Sequence, residues 1–116
     1  MSKPVREMKI RTKDGKRGVV TALIDSGSFY TLIREDCVPG GATVIRYKKS
    51  EKMGTAKKTG QIHAVASVDL VMIVEGHPVS DEVRISPDLK REFILGAGTM
   101  QKWDISITNK NGHTVI

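Results

Sequence analysis

Short apolar runs and alternating stretches, with little helical periodicity, dominate the pattern of hydrophobic and polar positions along this chain. The longest stretch runs from Ile62 to Glu75 and directs apolar side chains between Val68 and Val74 to one side, with Asp69 and Glu75 on the other. Similar patterns predict further strands at Val5 to Thr12, Gly18 to Ile24, Thr43 to Lys49, Val79 to Ile85, Phe93 to Gly96, Asp104 to Thr108 and His113 to Ile116.

Turn signals separate these strands at regular intervals. Lys13-Asp14-Gly15-Lys16 and Asn111-Gly112 predict hairpins, and Pro39-Gly40-Gly41 predicts another turn. The stretch from Met53 to Gly60 has two glycines and small or polar residues, which predicts a mobile hairpin, and Gly98 to Trp103 fits one short helix. The pattern predicts an all-β barrel or sandwich, and the length fits a single domain covering residues 1–116.

The chain shows no sign of a membrane segment or a secretory leader. Met1 to Thr12 is polar and basic, and no stretch approaches the ~20 consecutive apolar residues of a membrane helix. Cys37 is the single cysteine, so an intrachain disulfide is not possible. We therefore expect a soluble, cytoplasmic protein without a membrane partner.

The formal net charge of +6 allows a polyanionic partner. The basic residues form short clusters spread along the chain, and few aromatic side chains accompany them. This arrangement is typical of solvated loops and strand edges, so we do not expect nucleic acid as a partner. A small basic nucleic-acid-binding barrel is the alternative, and strongly salt-dependent binding would support it.

The sharpest local feature is an acidic residue at the end of an apolar strand. Ala22-Leu23-Ile24 leads directly into Asp25, and Ser26-Gly27-Ser28 follows. A carboxylate next to a buried strand is costly unless it is hydrogen-bonded or paired, and a turn with glycine lets backbone N–H groups approach it. Alone, the motif also fits an ordinary strand-end turn.

A second feature lies near the end of the chain, where the apolar residues Ile94 and Leu95 precede Gly96 and a short helix. With the first motif and the glycine-bearing hairpin between them, the sequence resembles the retropepsin-like aspartic proteases from about Val5 to Ile116. The match to the family's Asp-Ser/Thr-Gly-Ala/Ser motif is Asp25 to Ser28. The family's flap, a hairpin that closes over substrate, would fall within Met53 to Ile62, at Gly54, Thr55, Ala56, Lys57, Lys58, Thr59 and Gly60.

The resemblance implies a homodimeric aspartic endopeptidase with a retropepsin-like barrel, one short helix near the C-terminus, no cofactor and no metal. Such enzymes hold one water between two carboxylates, one ionised and one protonated. The other aspartates of this chain lack the motif, so the second carboxylate would be Asp25 of another copy. The partners would be a second copy of the chain and a peptide or protein substrate. The alternative is a module that keeps the fold for peptide binding or assembly and has lost catalysis.

The resemblance also gives roles to the residues after Asp25. The Ser26 hydroxyl would hydrogen-bond across the dimer axis, and the Gly27 backbone would meet substrate. A Ser28 hydroxyl that donates to Asp25 would favour the ionised carboxylate. That contact predicts a more acidic activity optimum for the wild type than for Ser28→Ala.

The sequence departs from the family pattern at Phe29, Ala97 and Gly98. The retroviral enzymes pair an acidic residue with an arginine at the positions of Phe29 and Ala97, so apolar contact is expected to replace that ion pair near the dimer seam. Gly98 stands where cellular relatives often carry Asp or Asn, which puts the geometry of the following helix in doubt. Lys57 and Lys58 give the flap a cationic tip, which is either simply solvated or selects acidic substrates.

Other chemistries find less support in the sequence. Cys37 with a distant histidine could suggest a thiol protease, but no local signature accompanies it, and a buried structural cysteine fits better. Gly96-Ala97-Gly98 begins like a dinucleotide-binding loop without the surrounding βαβ unit. The three histidines and the cysteine do not have the spacing of metal ligands.

Overall fold

The structure of the protein, a computed structural model, describes residues 5–53, 62–105, 108–110 and 113–115. The strands are β1 (Val5–Arg11), β2 (Arg17–Asp25), β3 (Leu32–Arg34), β4 (Ile45–Met53), β5 (Ile62–Val74), β6 (His77–Ser86), β7 (Phe93–Gly96), β8 (Thr108–Lys110) and β9 (His113–Val115). One turn of 3₁₀ helix covers Glu35–Cys37, and α1 covers Ala97–Lys102. Described helix is therefore confined to two short pieces.

Six strands close into a barrel in the order β1-β2-β7-β3-β6-β5, because β1 also pairs with β5. Strand β4 pairs with the same edge of β5 as β1 does, but at the opposite end of β5. Most of the pairs are antiparallel, but β2–β7 and β3–β6 are parallel. Closure uses the backbone groups that an open sheet would leave at its edges.

The main hydrophobic core fills the barrel. Its buried members come mainly from alternate positions of the strands, as the sequence pattern predicts, and the largest are Phe93, Ile33, Leu70, Met72 and Leu95. A second cluster lies on the opposite face. Leu23, Leu32, Ala64 and Ile94 come from strands, and Leu89 joins them from the segment between β6 and β7. Strands β2, β3 and β7 are therefore covered on both faces, which explains their continuous apolar runs.

Most predicted strands are confirmed, and so is the first hairpin. Arg11 pairs with Arg17 across the Lys13–Lys16 turn, where Gly15 has a φ of 93° that suits glycine. The helix begins at Ala97, one residue before the predicted start at Gly98. The turn residues Asn111 and Gly112 lie outside the described residues, but β8 and β9 pair as an antiparallel ladder.

Two expectations need correction. The strand predicted from Asp104 does not begin there, because Asp104 lies in a turn with a φ of 55° and Ile105 follows without strand pairing. Strand β4 begins at Ile45, later than the predicted Thr43, and continues to Met53 past an irregularity in its pairing with β5. Strand β3 was not predicted, because three residues between two turns are too few to show a period.

Among the described residues, none of the helices is long and apolar enough to span a membrane.

Among the described glycines, Gly96 has the closest main-chain neighbours. A Cβ atom built there would lie 2.6 Å from the carbonyl carbon of Tyr30 and 2.7 Å from the carbonyl oxygen of Phe29. Both neighbours are main-chain atoms, which cannot move aside as a flexible side chain can. The close approach of these two segments therefore requires glycine.

We expect Gly96→Ala to lower the free energy of unfolding by ~3 kcal/mol or more, at the upper end of the range for overpacked sites. Gly40→Ala is the matched control, because a Cβ at Gly40 meets no atom within 4 Å. Urea unfolding of both variants gives the comparison. Equal stability of the two variants would contradict the close approach at Gly96.

Candidate active site

Asp25 is the last residue of β2, and its Cα lies opposite Gly96 in the parallel pair with β7. The preceding residues alternate between the two faces: Ile24 belongs to the barrel core and Leu23 to the second cluster. Asp25 is two positions after Leu23, so its side chain is on the same face as the second cluster. The carboxylate therefore projects away from the barrel interior.

The turn after Asp25 holds its carboxylate. The Gly27 N–H donates to Asp25 Oδ1 over 2.9 Å, and the Ser28 N–H donates to the Asp25 carbonyl over 3.1 Å. A Cβ at Gly27 would lie 3.1 Å from Asp25 Oδ1, so a side chain there would crowd the carboxylate. The expectation that a glycine turn brings a backbone N–H to the carboxylate is confirmed.

The Ser28 hydroxyl does not make the predicted hydrogen bond to the Asp25 carboxylate. Ser28 Oγ donates to the carbonyl oxygen of Tyr30 over 3.0 Å, and the residue is buried. A hydroxyl has one proton to donate, so it is not available to the carboxylate of Asp25. The argument for an altered pH optimum in Ser28→Ala loses its basis, and Ser28 instead shapes the loop.

The other predicted site residues fall into three groups. Ser26 and Gly27 are exposed beside the partly exposed Asp25. Ile94, Leu95 and Gly96 are buried in β7, which pairs with β2 and fixes where β2 ends. The predicted flap residues Gly54, Thr55, Ala56, Lys57, Lys58, Thr59 and Gly60 lie outside the described residues.

Backbone hydrogen bonds join the loop after Asp25 to the start of α1. Ala97 N–H donates to Ser28 O over 2.6 Å, and Gly98 N–H donates to Phe29 O over 2.8 Å. A Cβ at Gly98 would lie 2.9 Å from the carbonyl oxygen of Phe29 and 3.1 Å from Cζ of its ring, so the backbone and the ring of Phe29 both occupy the space that a side chain would need. The concern about Gly98 is resolved: glycine admits the aromatic ring, and the helix forms.

A chain of hydroxyl groups, which the sequence analysis missed, fastens α1 to the site. The Gly96 N–H donates to Thr31 Oγ1 over 3.0 Å, and Thr31 Oγ1 lies 2.6 Å from Thr99 Oγ1. Thr99 Oγ1 donates to Asp81 Oδ2 over 2.7 Å, so Thr31 must donate to Thr99. Thr31 and Thr99 are buried, and Lys102 Nζ lies 3.4 Å from Asp81 at the outer end. Nothing local in the sequence signals this network, because its members meet only through the fold.

Cys37 has the properties of a structural cysteine. Burial raises the pKa of its thiol, and the neighbouring Asp36 carboxylate raises that pKa further. A nucleophilic cysteine needs the opposite shift. Among the described residues, no group of three or more His, Cys, Asp or Glu side chains could hold a metal ion.

No protein-family model matches the chain, and no curated protein matches it either. Several solved structures do match the chain. EIAV protease, solved in complex with an inhibitor, superposes with a TM-score of 0.62 at 14% identity, covering 92% of this chain and 93% of that one. The retroviral protease-like domain of Ddi1 from Leishmania major gives a TM-score of 0.58 at 14% identity, covering 99% of this chain and 90% of that one.

The chain has the retropepsin-like fold. A protein of unknown function from Legionella pneumophila has a similar structure, with a TM-score of 0.50 at 15% identity over 84% of this chain and 85% of that one. At 14–15% sequence identity, the similarity to these structures shows the fold alone. The activity has to be argued from the site.

We expect Thr99→Val to lower the free energy of unfolding by ~1–3 kcal/mol, because the substitution keeps the shape and leaves buried Thr31 Oγ1 without its acceptor. Thr21→Val is the matched control, because Thr21 lies exposed on β2. Thermal and urea unfolding give the difference between the two variants. If both lose the same stability, the buried hydroxyl chain makes no specific contribution.

Proposed function

We propose that this chain is one subunit of a homodimeric aspartic endopeptidase in which the two Asp25 carboxylates, one from each copy, activate the water that hydrolyses a peptide bond. The observation that carries the proposal is the position of Asp25. It ends β2 opposite Gly96, with the Gly27 N–H on its carboxylate, in the fold that EIAV protease also has. Ser26 and Gly27 are exposed next to it, as contacts with a second subunit and a substrate require.

The need for a dimer follows from the chemistry. One carboxylate takes a proton from the water while a second, protonated carboxyl donates to the carbonyl of the scissile bond. Two carboxylates that share a site do not both ionise readily, so the pair keeps one proton between them. The motif occurs once in this sequence, and a two-fold axis beside Asp25 supplies the second copy with a single self-complementary interface.

The remaining residues have supporting roles in this proposal. The Ser26 hydroxyls bond across the axis, and exposed Phe29, packed over Gly98, gives the seam an apolar contact. The chain between Met53 and Ile62 closes over substrate and limits the access of bulk water. The peptide binds in an extended form, on the face that carries Asp25 and the second cluster. No cofactor or metal takes part.

We expect Asp25→Asn to abolish peptide hydrolysis and to leave the fold intact, because the amide has nearly the same shape and cannot take the proton. Mixing tests the dimer. After subunit exchange with an equal amount of Asp25→Asn, the activity of a homodimeric enzyme per total chain falls to about one quarter of the wild-type value, since random pairing leaves that share of wild-type dimers.

Independent monomers would instead keep about half of the activity per total chain, and that result would exclude a shared site. Circular dichroism of Asp25→Asn controls for folding, and sedimentation velocity confirms that the mixed species are dimers. A statine-type peptide, whose hydroxyl imitates the attacking water, should inhibit the wild type. Cleavage by Asp25→Asn at the wild-type rate would remove Asp25 from the mechanism.

We expect Cys37→Ser to retain peptide hydrolysis within about twofold of the wild-type rate, because the raised pKa of the thiol makes it a poor nucleophile. Peptide cleavage assays on purified Cys37→Ser and wild type make the comparison. Complete loss of activity in a folded Cys37→Ser protein would favour thiol chemistry over the carboxylate pair.

The alternative from another class is a module that binds peptides or mediates assembly without cleaving them. A fold alone does not decide between the two, and the protein of unknown function from Legionella pneumophila with a similar structure leaves both open. Retention of peptides by both the wild type and Asp25→Asn, with no cleavage by either, is the result that this alternative predicts.

A further inference from the structure

Arg84 is an arginine on the sheet face that carries Asp25. Directly paired positions connect Leu23 of β2 with Ile94 of β7, Ile94 with Leu32 of β3, and Leu32 with Arg84 of β6. Paired residues project on the same face of a sheet, so these four side chains form one row. Asp25 follows Leu23 by two positions and shares that face. Arg84 therefore lies beyond an apolar floor whose near end is beside Asp25.

Neighbouring groups hold the Arg84 side chain in place. Its guanidinium carbon lies 4.5 Å from the centre of the Tyr30 ring, within the range of a cation–π interaction. Tyr30 is in turn fixed by the edge-to-face contact with Phe29, at 5.3 Å between ring centres, and by the Ser28 hydroxyl on its carbonyl. The Arg84 N–H donates to Thr31 O over 3.1 Å, which ties its backbone to the same loop.

The charge of Arg84 is only partly satisfied by the described residues. Its Nε is buried and has no hydrogen-bond partner among them. The carboxylate of Glu51 on β4 is 3.5 Å from Nε, which is too long for a good hydrogen bond, and the Glu51 side chain is half exposed. The Arg84 side chain keeps 24% exposure, and since Nε is buried, that exposure belongs to its other atoms. A substrate carboxylate that reached the guanidinium would supply the hydrogen bonds that Glu51 leaves unmade.

We propose that Arg84 is a specificity-determining residue that selects a substrate carboxylate, an Asp or Glu side chain of a peptide bound on the face of the sheet that carries Asp25. A guanidinium presents a planar fork that matches a carboxylate, whereas a neutral or basic peptide side chain there would desolvate the cation without compensation. This inference rests on the proposed peptidase function, which supplies the peptide that Arg84 would select. It is independent of Lys57 and Lys58, the cationic residues singled out in the sequence.

Strand spacing gives the distance of this subsite from the scissile bond. Three strand steps of ~4.8 Å separate β2 from β6, which is about 14 Å along the sheet. An extended peptide advances ~3.3 Å per residue, and both side chains reach toward each other, so the acidic residue stands about two to four positions from the cleaved bond. In a two-fold dimer each subunit supplies one Arg84, so the preference occurs at mirrored positions on both sides of that bond.

The test uses the full chain and libraries of capped decapeptides with one position fixed as Glu, Gln or Lys and the others randomised. Mass spectrometry measures cleavage by the wild type and retention on immobilised Asp25→Asn protein. We expect Glu to be favoured over Gln by about tenfold at the mirrored positions, the size expected when a charged hydrogen bond is made or missed. Arg84→Met should lose the preference and still cleave neutral peptides.

Matched variants separate a specific contact from net charge and from folding. Arg46→Met removes the same charge from an exposed arginine that pairs with Glu35, and it should keep the preference. Glu51→Gln should strengthen the preference a few-fold, because the guanidinium loses a competing carboxylate. A purely structural Arg84–Glu51 pair predicts no such gain. Glu51→Gln also keeps the test valid if Arg84→Met fails to fold.

The outcomes distinguish this inference from the proposed function. Cleavage with equal preference for Glu and Gln would overturn the role of Arg84 and leave the peptidase standing. Selective retention of acidic peptides by Asp25→Asn, lost when Arg84→Met is added, without cleavage by the wild type would support the subsite and refute the peptidase. The absence of both selective retention and cleavage would overturn both proposals.

Discussion

The close approach of two backbone segments at Gly96 is the constraint on which the candidate site depends. Strand β7 must pair with β2 so that Asp25 ends opposite Gly96, while the carbonyls of Phe29 and Tyr30 pass where a Cβ of residue 96 would be. Only glycine allows this approach. Because the loop after Asp25 is bonded to the residues that follow Gly96, the position of the carboxylate is set by contacts between segments about 70 residues apart along the chain.

The parts of this arrangement that are local could be predicted from the sequence. The alternation of apolar and polar residues predicted most of the strands. The apolar run before Asp25, with glycine two residues later, predicted the turn whose N–H donates to the carboxylate. The acceptor of Ser28, the strand β3 and the partly buried arginine at the far end of the floor could not be predicted. They depend on register between strands that are distant in sequence, and a single residue of slip would turn Arg84 to the other face.

The network behind the site keeps formal charge out of the interior. Thr31 and Thr99 are neutral hydroxyls in the buried part, and the charges of Asp81 and Lys102 stand at the outer end. A buried ion pair has to offset a large loss of hydration, whereas hydroxyls that satisfy one another avoid most of that cost. Neutral hydrogen bonds and the Phe29 ring over Gly98 thus hold α1 against the loop.

Charge on the face that carries Asp25 is arranged differently, because the proposed function brings a ligand to it. Asp25 and Arg84 lie at opposite ends of an apolar floor, and the strands that carry them are about 14 Å apart. That distance exceeds the screening length of ~8 Å at physiological ionic strength, so the two charges interact weakly through solvent. An extended peptide that covers the floor would displace that solvent and contact both. We therefore expect the proposed chemistry at Asp25 and the proposed selection at Arg84 to respond separately to substitution, although the two residues share a face.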